Sequence, residues 1–188
     1  MATLDNFSEQ VRLYAGRIAE SSAPALSGLY DLTAERLVRY ATTITSNQHD
    51  AEDAVSAALV RVASEPKILL DAEFPWPYLL RMVRNEALVI LRRKKRWSLL
   101  SDLSDLVVRR YVNQIEVEDQ NRAVWFALRS LPAEQSEVVV LKVWESMTFA
   151  QIAEVLEITS STAASRYRYA MEKLSVKLRS ASAEVLHE

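Results

Sequence analysis

Residues 148–175 read TFAQIAEVLEITSSTAASRYRYAMEKLS, and their pattern predicts how the C-terminal part of the chain folds. Thr148 and Gln151 fit a capping box, in which two side chains satisfy the free backbone N–H groups at a helix start. Apolar residues at helical spacing follow, and Thr159 can cap a second, longer helix after a short turn. A short helix, a tight turn and a longer helix form the pattern of a helix-turn-helix.

The longer helix has an apolar side and a polar side. Its inner stripe consists of Ala163, Tyr167, Ala170 and Leu174. Its outer side carries Ser160, Ser161, Ala164, Ser165, Arg166, Arg168 and Tyr169. Because a helix fits the major groove of DNA, small outer side chains allow close approach, while Arg166 and Arg168 can reach guanine or phosphate. The pattern favours DNA binding, and its alternative is a helical hairpin with a solvated charged face.

The composition favours helices along the whole chain. Among 188 residues there are only 2 glycines and 5 prolines, too few for the turns of a many-stranded β fold. The length allows one medium domain or two small helical ones. Apolar residues make up 49% of the chain, which is enough to build a core. We therefore expect an all-α fold.

The residue types that enzymes and metal sites need are scarce. The chain has no cysteine, and His49 and His187 are its only histidines, so neither a zinc site nor a Ser-His-Asp site is expected. No nucleophile–base pair or glycine-rich phosphate loop is recognisable, so we expect no enzyme and no bound metal or cofactor. The N-terminus lacks the basic segment and apolar core of a signal peptide, so none is expected, and no apolar run approaches the length of about 18 residues that a membrane span needs. The expected location is the cytoplasm, without membrane insertion.

The charge is unevenly distributed along the chain. The formal net charge is −2, yet residues 92–96 read RRKKR and a second basic cluster lies near the C-terminus. That cluster consists of Arg166, Arg168, Lys173, Lys177 and Arg179. Because binding responds to the local potential over a Debye length of about 8 Å, these patches matter more than the total charge. The net charge therefore does not exclude a nucleic-acid partner.

Apolar spacing predicts four helices in the N-terminal half, over residues 4–20, 26–46, 50–64 and 77–96. Asp50 is the predicted N-cap of the third helix, and Pro66 ends that helix. Residues 65–77 are rich in loop-forming residues and include the motif FPWP. Residues 98–117 are less periodic and are predicted to be a linker, after which a second helical domain begins near Asp119.

Two separate sets of motifs resemble the family of bacterial sigma factors. In the C-terminal half, LPAEQSEV resembles the family's LPxxQREV, TFAQIAEVL resembles SxxEIAExL, and STAASR resembles GTVKSR. In the N-terminal half, DAEDAV resembles DAEDLVQ, and RMVRN followed by LRR resembles RIARN followed by LRR. The motifs span residues 26–97 and 118–180, in the family's order. This arrangement is similar to that of the minimal, extracytoplasmic-function group of sigma factors.

The resemblance implies a domain plan and a set of partners. It implies an N-terminal helical extension, a promoter-melting and polymerase-clamp domain, a linker and a helix-turn-helix domain, at residues 1–25, 26–97, 98–117 and 118–182. The first of the two domains is expected to hold the minus-ten promoter element and the second the minus-thirty-five element. The implied partners are core RNA polymerase, promoter DNA and an anti-sigma factor. The implied function is transcription initiation with opening of the promoter.

The resemblance also assigns candidate residues to each contact. For the minus-ten DNA they are Phe74, Trp76, Arg81, Arg84, Asn85, Arg92 and Arg93. For the minus-thirty-five DNA they are the seven outer residues of the longer helix given above. For the polymerase they are Glu52, Asp53 and Ser56. In the family the loop before the long basic helix holds an extruded base, which makes Trp76 a stacking candidate here.

Each of these assignments has a plainer alternative. Phe74 and Trp76 can instead cover the core beside their neighbouring prolines. Residues 92–96 can be a solvated helix end, and Glu52 with Asp53 can be a solvated capping turn. The other aromatic residues expected in the core are Trp125, Trp144 and Tyr167.

Several residues depart from the family pattern. Glu157 replaces the glycine of the helix-turn-helix turn, so the turn either avoids a left-handed backbone or is strained there. Ala164 replaces a lysine and removes one DNA contact, Ser56 and Ala57 replace a Gln-Glu pair, and Val89 replaces an aspartate. Two rival functions therefore stay open. One is a helix-turn-helix regulator that binds operators as a dimer, and the other is a sigma-like interaction protein without initiation activity.

Overall fold

The computed structural model describes residues 2–20, 23–100 and 119–185, and the regular secondary structure of these residues is entirely α-helical. The chain divides into two compact units, Met1–Gln114 and Ile115–Glu188. The predicted all-α fold of two helical units is therefore confirmed. Most of the predicted linker lies outside the described residues. None of the helices in the described part of the chain combines the length and the apolar character that a membrane span requires.

Five helices form the described part of the first unit. They are α1 (Ala2–Ala19), α2 (Ala23–Thr45), α3 (Gln48–Ser64), α4 (Lys67–Leu70) and α5 (Pro75–Leu100). Helices α2, α3 and α5 pack against one another around buried residues such as Leu37, Val55 and Leu80. Helix α4 lies in the stretch predicted to be a loop, and α5 begins at Pro75 rather than Pro77. The long helices otherwise occur where the apolar spacing predicts them.

The first helix contributes to the core of this unit. Val11 and Ala15 of α1 are completely buried, and α1 packs against α2, α4 and α5. Tyr14 lies against Gly28 of α2, where an added Cβ would overlap the Tyr14 ring. The absence of a side chain at Gly28 therefore lets the two helices approach closely.

The predicted N-cap of α3 is wrong. The N-cap is Asn47, whose side-chain oxygen accepts a hydrogen bond from the backbone N–H of Asp50 at 3.0 Å. Asp50 instead lies in the first helical turn, and its carboxylate accepts a hydrogen bond from Lys94 Nζ at 2.6 Å. Because asparagine and aspartate cap helices about equally well, the local sequence does not distinguish the two positions. The contact with α5 determines where the Asp50 side chain lies.

Four helices form the described part of the second unit. They are α6 (Asp119–Arg129), α7 (Ala133–Val143), α8 (Phe149–Leu156) and α9 (Ser160–Val185). Helix α9 packs against the other three around a buried cluster that includes Leu128, Val139 and Leu174. Three partly buried aromatic residues pack against this cluster, which confirms the prediction that they belong to the core: Trp125, Trp144 and Tyr167.

Local contacts build the turn between α8 and α9. Thr148 and Gln151 form the predicted capping box, and Thr159 Oγ1 accepts a hydrogen bond from the backbone N–H of Thr162 at 3.2 Å. Glu157 adopts a left-handed backbone with φ 56° and ψ 46°. A side chain in this conformation costs about 1–2 kcal/mol. Of the two alternatives for this position, the structure therefore shows the strained turn.

Candidate nucleic-acid interface

Polar and cationic side chains recur along one side of α5, where two half-buried apolar residues separate Asn85 from Arg92. Asn85, Arg92 and Arg96 are exposed, and Arg81 is half-buried with its guanidinium 4.6 Å from the centre of the Tyr78 ring. Because residues four, seven and eleven positions apart lie on the same side of a helix, these four side chains form a stripe. We call Arg81, Asn85, Arg92 and Arg96 the α5 basic surface. Arg96 was not among the predicted site residues and joins them by this helical spacing.

The other arginines predicted for this site lie beside the stripe. Arg84 is half-buried, one position before Asn85. Arg93 is exposed, one position after Arg92. Successive residues of a helix are rotated by about 100°, so neither arginine points in the same direction as the α5 basic surface. Both can extend the surface at its edges rather than along its centre.

Lys94, in the middle of the RRKKR run, has a contact within the protein. Its Nζ lies 2.6 Å from Asp50 Oδ2, and the Asp50 side chain is only 10% exposed. This ion pair joins the basic end of α5 to the start of α3. The run is therefore not uniformly a solvated helix end, because this lysine helps to position the helix that carries its neighbours.

Trp76 is not a base-stacking platform in this structure. Its side chain is 0% exposed, and the Phe7 ring meets it edge-on with the ring centres 4.8 Å apart. The Arg36 guanidinium lies 4.8 Å from the centre of the Trp76 ring. The structure therefore favours the alternative interpretation, in which Trp76 belongs to the core, and we omit it from the interface. Phe74, two residues earlier, is half-buried and retains an accessible part.

The outer side of α9 is mostly exposed. The exposed residues among the seven predicted there are Ser160, Ser161, Ser165, Arg168 and Tyr169, and Ala164 is half-buried. The Arg168 guanidinium lies 5.0 Å from the centre of the Tyr169 ring. We call these six residues the α9 outer surface. Hydroxyl groups and small side chains occupy its first two turns, and a cation follows.

Arg166 differs from the rest of the predicted minus-thirty-five residues. Its Nη2 forms a salt bridge with Glu134 Oε2 of α7 at 2.6 Å, and it is half-buried. Two positions along a helix correspond to a rotation of about 160°, so Arg166 and Arg168 lie on nearly opposite sides of α9. Nearby, Lys173 Nζ donates a hydrogen bond to Gln135 Oε1 of α7 at 3.1 Å. Sequence reasoning missed both contacts of α7, because they join residues more than thirty positions apart.

The outer side of α3 carries the residues predicted to meet the polymerase. Glu52, Asp53 and Ser56 are exposed, and Gln48 Nε2 donates a hydrogen bond to Glu52 Oε1 at 2.9 Å. Val60 lies on the same side, seven positions after Asp53, and is 64% exposed. Val60 thus adds one exposed apolar side chain to the acidic side of α3. The sequence signal for Val60 was an apolar residue on the polar side of an amphipathic helix.

The described residues contain no group of three or more His, Asp or Glu side chains arranged to hold a metal ion. What the described surfaces offer is hydrogen-bond donors, cations and partly accessible aromatic rings. These are the groups with which proteins bind phosphates and bases.

Comparisons with protein families match the two units separately. The model of sigma-70 region 2 matches residues 29–97, and the model of sigma-70 region 4 matches residues 121–174. The SigL protein of Mycobacterium tuberculosis, an RNA polymerase sigma factor of the extracytoplasmic-function type, is 28% identical over 163 residues. That alignment covers 85% of this chain and 92% of SigL.

Two solved structures share the fold. CnrH, in complex with the cytosolic domain of CnrY, matches with a TM-score of 0.63 at 21% identity, over 91% of this chain and 98% of CnrH. The sigma factor RpoE of Bartonella quintana, in complex with the anti-sigma factor NepR, matches with a TM-score of 0.66 at 20% identity. That match covers 81% of this chain and 96% of RpoE.

Proposed function

Because this chain belongs to the extracytoplasmic-function group of the sigma-70 family, whose members act in transcription initiation, we propose that it directs core RNA polymerase to a promoter. In this proposal the first unit holds the minus-ten element, the second unit holds the minus-thirty-five element, and the protein helps to open the DNA without catalysing a reaction. The observation that carries the proposal is the presence of one exposed polar and cationic surface on each of the two segments that the family models match.

The α5 basic surface is proposed to hold the minus-ten DNA. Arg92 and Arg96 can contact phosphates, while Asn85 has both a donor and an acceptor for a base edge. Arg81 is held against Tyr78, which fixes the direction of its guanidinium. The predicted residues Arg84 and Arg93 extend this contact at the edges.

Opening the duplex requires a surface that holds an unpaired strand better than the duplex does. Stacking of a base on an aromatic side chain contributes about 1–3 kcal/mol, which is comparable with the cost of unstacking that base. With Trp76 in the core, Phe74 is the aromatic residue of the predicted loop that can take this role. Phe74 ends the connection between α4 and α5, immediately before the α5 basic surface begins.

The α9 outer surface is proposed to enter the major groove of the minus-thirty-five element. Ser161 and Ser165 are exposed and small enough for close approach to base edges, and Arg168 can reach guanine or phosphate. Arg166, on the opposite side of α9, is suited to a phosphate at the edge of the groove once it leaves Glu134.

The remaining proposed partners are proteins. The α3 outer side, with Glu52, Asp53, Ser56 and Val60, is proposed to meet basic and apolar residues of the polymerase clamp. An anti-sigma factor is a proposed regulator, because the solved RpoE structure contains the anti-sigma factor NepR. In this proposal such a partner competes with core polymerase for the chain.

Run-off transcription with core RNA polymerase and genomic DNA fragments tests the proposed function. Wild-type protein is expected to yield specific transcripts, and the double variant Arg92→Ala, Arg96→Ala is expected to lose most of them. The salt dependence of promoter binding should become shallower by roughly 0.9 for each phosphate that the variant no longer neutralises. Arg17→Ala is the control for the loss of a single exposed arginine, because Arg17 lies on α1 outside both surfaces.

Two other outcomes would support the rival functions. If the purified chain binds duplex DNA tightly as a dimer without polymerase, it is an operator-binding regulator. If it binds core polymerase and yields no transcript from any fragment, it is a sigma-like interaction protein.

A further inference from the structure

Arg12 of α1 holds the connection between α4 and α5, which we call the 71–74 connection after its residues. Arg12 Nη1 donates a hydrogen bond to the carbonyl oxygen of Leu70 at 2.7 Å, and Nη2 donates to the carbonyl oxygen of Glu73 at 3.1 Å. One carbonyl lies at the end of α4 and the other lies next to Phe74. Because a guanidinium is planar, its donors have a fixed separation, so the two bonds together restrict the shape of the connection.

Arg12 is itself held in position. Its Nε lies 3.4 Å from Glu9 Oε1, one helical turn earlier, and its side chain is 30% exposed. The helix that carries it is anchored by completely buried Val11 and Ala15. The two hydrogen bonds therefore join the 71–74 connection to a well-packed helix rather than to a loosely attached segment.

A second contact joins α1 to the end of the same connection. Phe7 of α1 meets the buried Trp76 ring edge-on, and the Arg36 guanidinium lies 3.9 Å from the centre of the Phe7 ring and 4.8 Å from that of Trp76. Trp76 is the second residue of α5. Helix α1 thus contacts the connection at its start through Arg12 and just beyond its end through Phe7.

We propose that α1 is a positioning element for the 71–74 connection and that Arg12 is the residue through which it acts. The preference for particular bases in the minus-ten element would then depend on α1. In this proposal α1 does not contact the base but positions the 71–74 connection. This inference rests on the proposed function, in which Phe74 and the start of α5 receive the unpaired strand. It gives the N-terminal helix a role in promoter reading besides its contribution to the core.

Hydrogen exchange of the free protein is the first test, and it does not depend on the proposed function. In Arg12→Ala the backbone N–H groups of residues 68–74 and 76 are expected to exchange about tenfold faster or more, because the variant cannot form the two charge-assisted hydrogen bonds. In Arg17→Ala, with the same change on the same helix, exchange there should match the wild type. Unchanged exchange in Arg12→Ala would overturn the proposal.

The second test measures base preference with the core polymerase complex. Single strands of the minus-ten element carry each of the four bases in turn at the positions where the wild-type complex shows a base preference. The measured quantity is the ratio of the highest to the lowest affinity among these strands. That ratio is expected to fall about tenfold in Arg12→Ala and to stay at the wild-type value in Arg17→Ala. A purely structural role would weaken all strands equally and leave the ratio unchanged, and that result also overturns the proposal. If Arg12→Ala does not fold, Arg12→Lys replaces it, with a partial fall of the ratio expected and an unchanged ratio counting against the proposal.

The two tests separate this inference from the proposed function. If wild-type protein shows no base preference and no transcription while Arg12→Ala still loosens residues 68–76, the proposed function fails and the positioning of the connection by Arg12 remains. If wild-type protein transcribes with clear base preference and Arg12→Ala retains that preference, the role of Arg12 in promoter reading fails and the proposed function remains.

Discussion

The two proposed DNA-binding surfaces carry similar side chains but are built in different ways. The α9 outer surface depends on contacts between near neighbours, such as the capping box of Thr148 and Gln151. The helix that carries the α5 basic surface is held by contacts that span 44 to 61 positions: Lys94 of α5 contacts Asp50, and Arg12 contacts Glu73 in the connection before α5. Local signals therefore specify the helix-turn-helix, whereas the position of the α5 basic surface depends on distant parts of the first unit.

The largest expected effect comes from Trp76→Ala. Truncating a completely buried tryptophan should destabilise the first unit by about 3–5 kcal/mol, because the variant cannot pack against Phe7 and Arg36 and a cavity remains. Urea unfolding followed by circular dichroism measures this change, and Phe74→Ala, at a half-buried position nearby, should cost less. A variant that unfolds at the wild-type urea concentration but no longer opens promoters would instead make Trp76 a stacking residue.

A smaller effect is expected from Asp50→Asn, which removes the ion pair that joins α3 to α5. The carboxylate is nearly buried but the Lys94 side chain is 59% exposed, so solvent screening limits the destabilisation to about 1 kcal/mol. Asp53→Asn, an exposed acid on the same helix, is the matched control for unfolding measurements. An equal decrease in stability in both variants would show that the ion pair does not anchor the basic end of α5.

Relief of strain in the helix-turn-helix should stabilise the protein, by no more than the amount by which Asp50→Asn destabilises it. Glu157→Gly removes the side chain from a left-handed backbone and should raise the free energy of unfolding by about 0.5–1 kcal/mol. This net gain is smaller than the relieved strain, because glycine also increases the entropy of the unfolded chain. Thermal unfolding measures the gain. Glu157→Ala keeps the Cβ and should show no such gain, so an equal increase in both variants would locate the strain elsewhere.

The smallest effect concerns the availability of Arg166 for DNA. Glu134→Gln weakens the ion pair that holds Arg166 against α7 and should tighten binding of the minus-thirty-five duplex about two- to fivefold. The effect is small because the Glu134 side chain is 66% exposed, so its ion pair with Arg166 is weak. Glu154→Gln removes the same charge from the exposed side of α8 and controls for the change in net charge. Equal tightening in the two variants would mean that Glu134 does not compete with DNA for Arg166.

Much of the second unit could be predicted because its signals are local. Thr148, Gln151 and Thr159 cap the helices as predicted, and the inner stripe of α9 is buried at Ala163, Ala170 and Leu174, with Tyr167 packed against the core. Helical periodicity and capping involve residues within about four positions of one another, so a single sequence contains the necessary information.

The errors occur where two side chains suit the same role or where one side chain suits two roles. Asn47 and Asp50 are both good N-caps, and the contact with Lys94 decides between them. Trp76 has the chemistry of a stacking platform, but the packing of α1 against the start of α5 buries it. In each case the deciding neighbour lies more than forty positions away in the sequence.

The order of the amino acids was sufficient to establish the family, the helical content, the two-unit plan and the polar sides of α5 and α9, because all of these follow from motifs and periodicity. The folded chain was needed to establish which arginines are exposed, which are held by acids, and which position the backbone instead. Those outcomes depend on contacts such as Arg166 with Glu134 and Arg12 with the carbonyl oxygens of Leu70 and Glu73. Such contacts form only when distant segments pack together, and no local spacing specifies them.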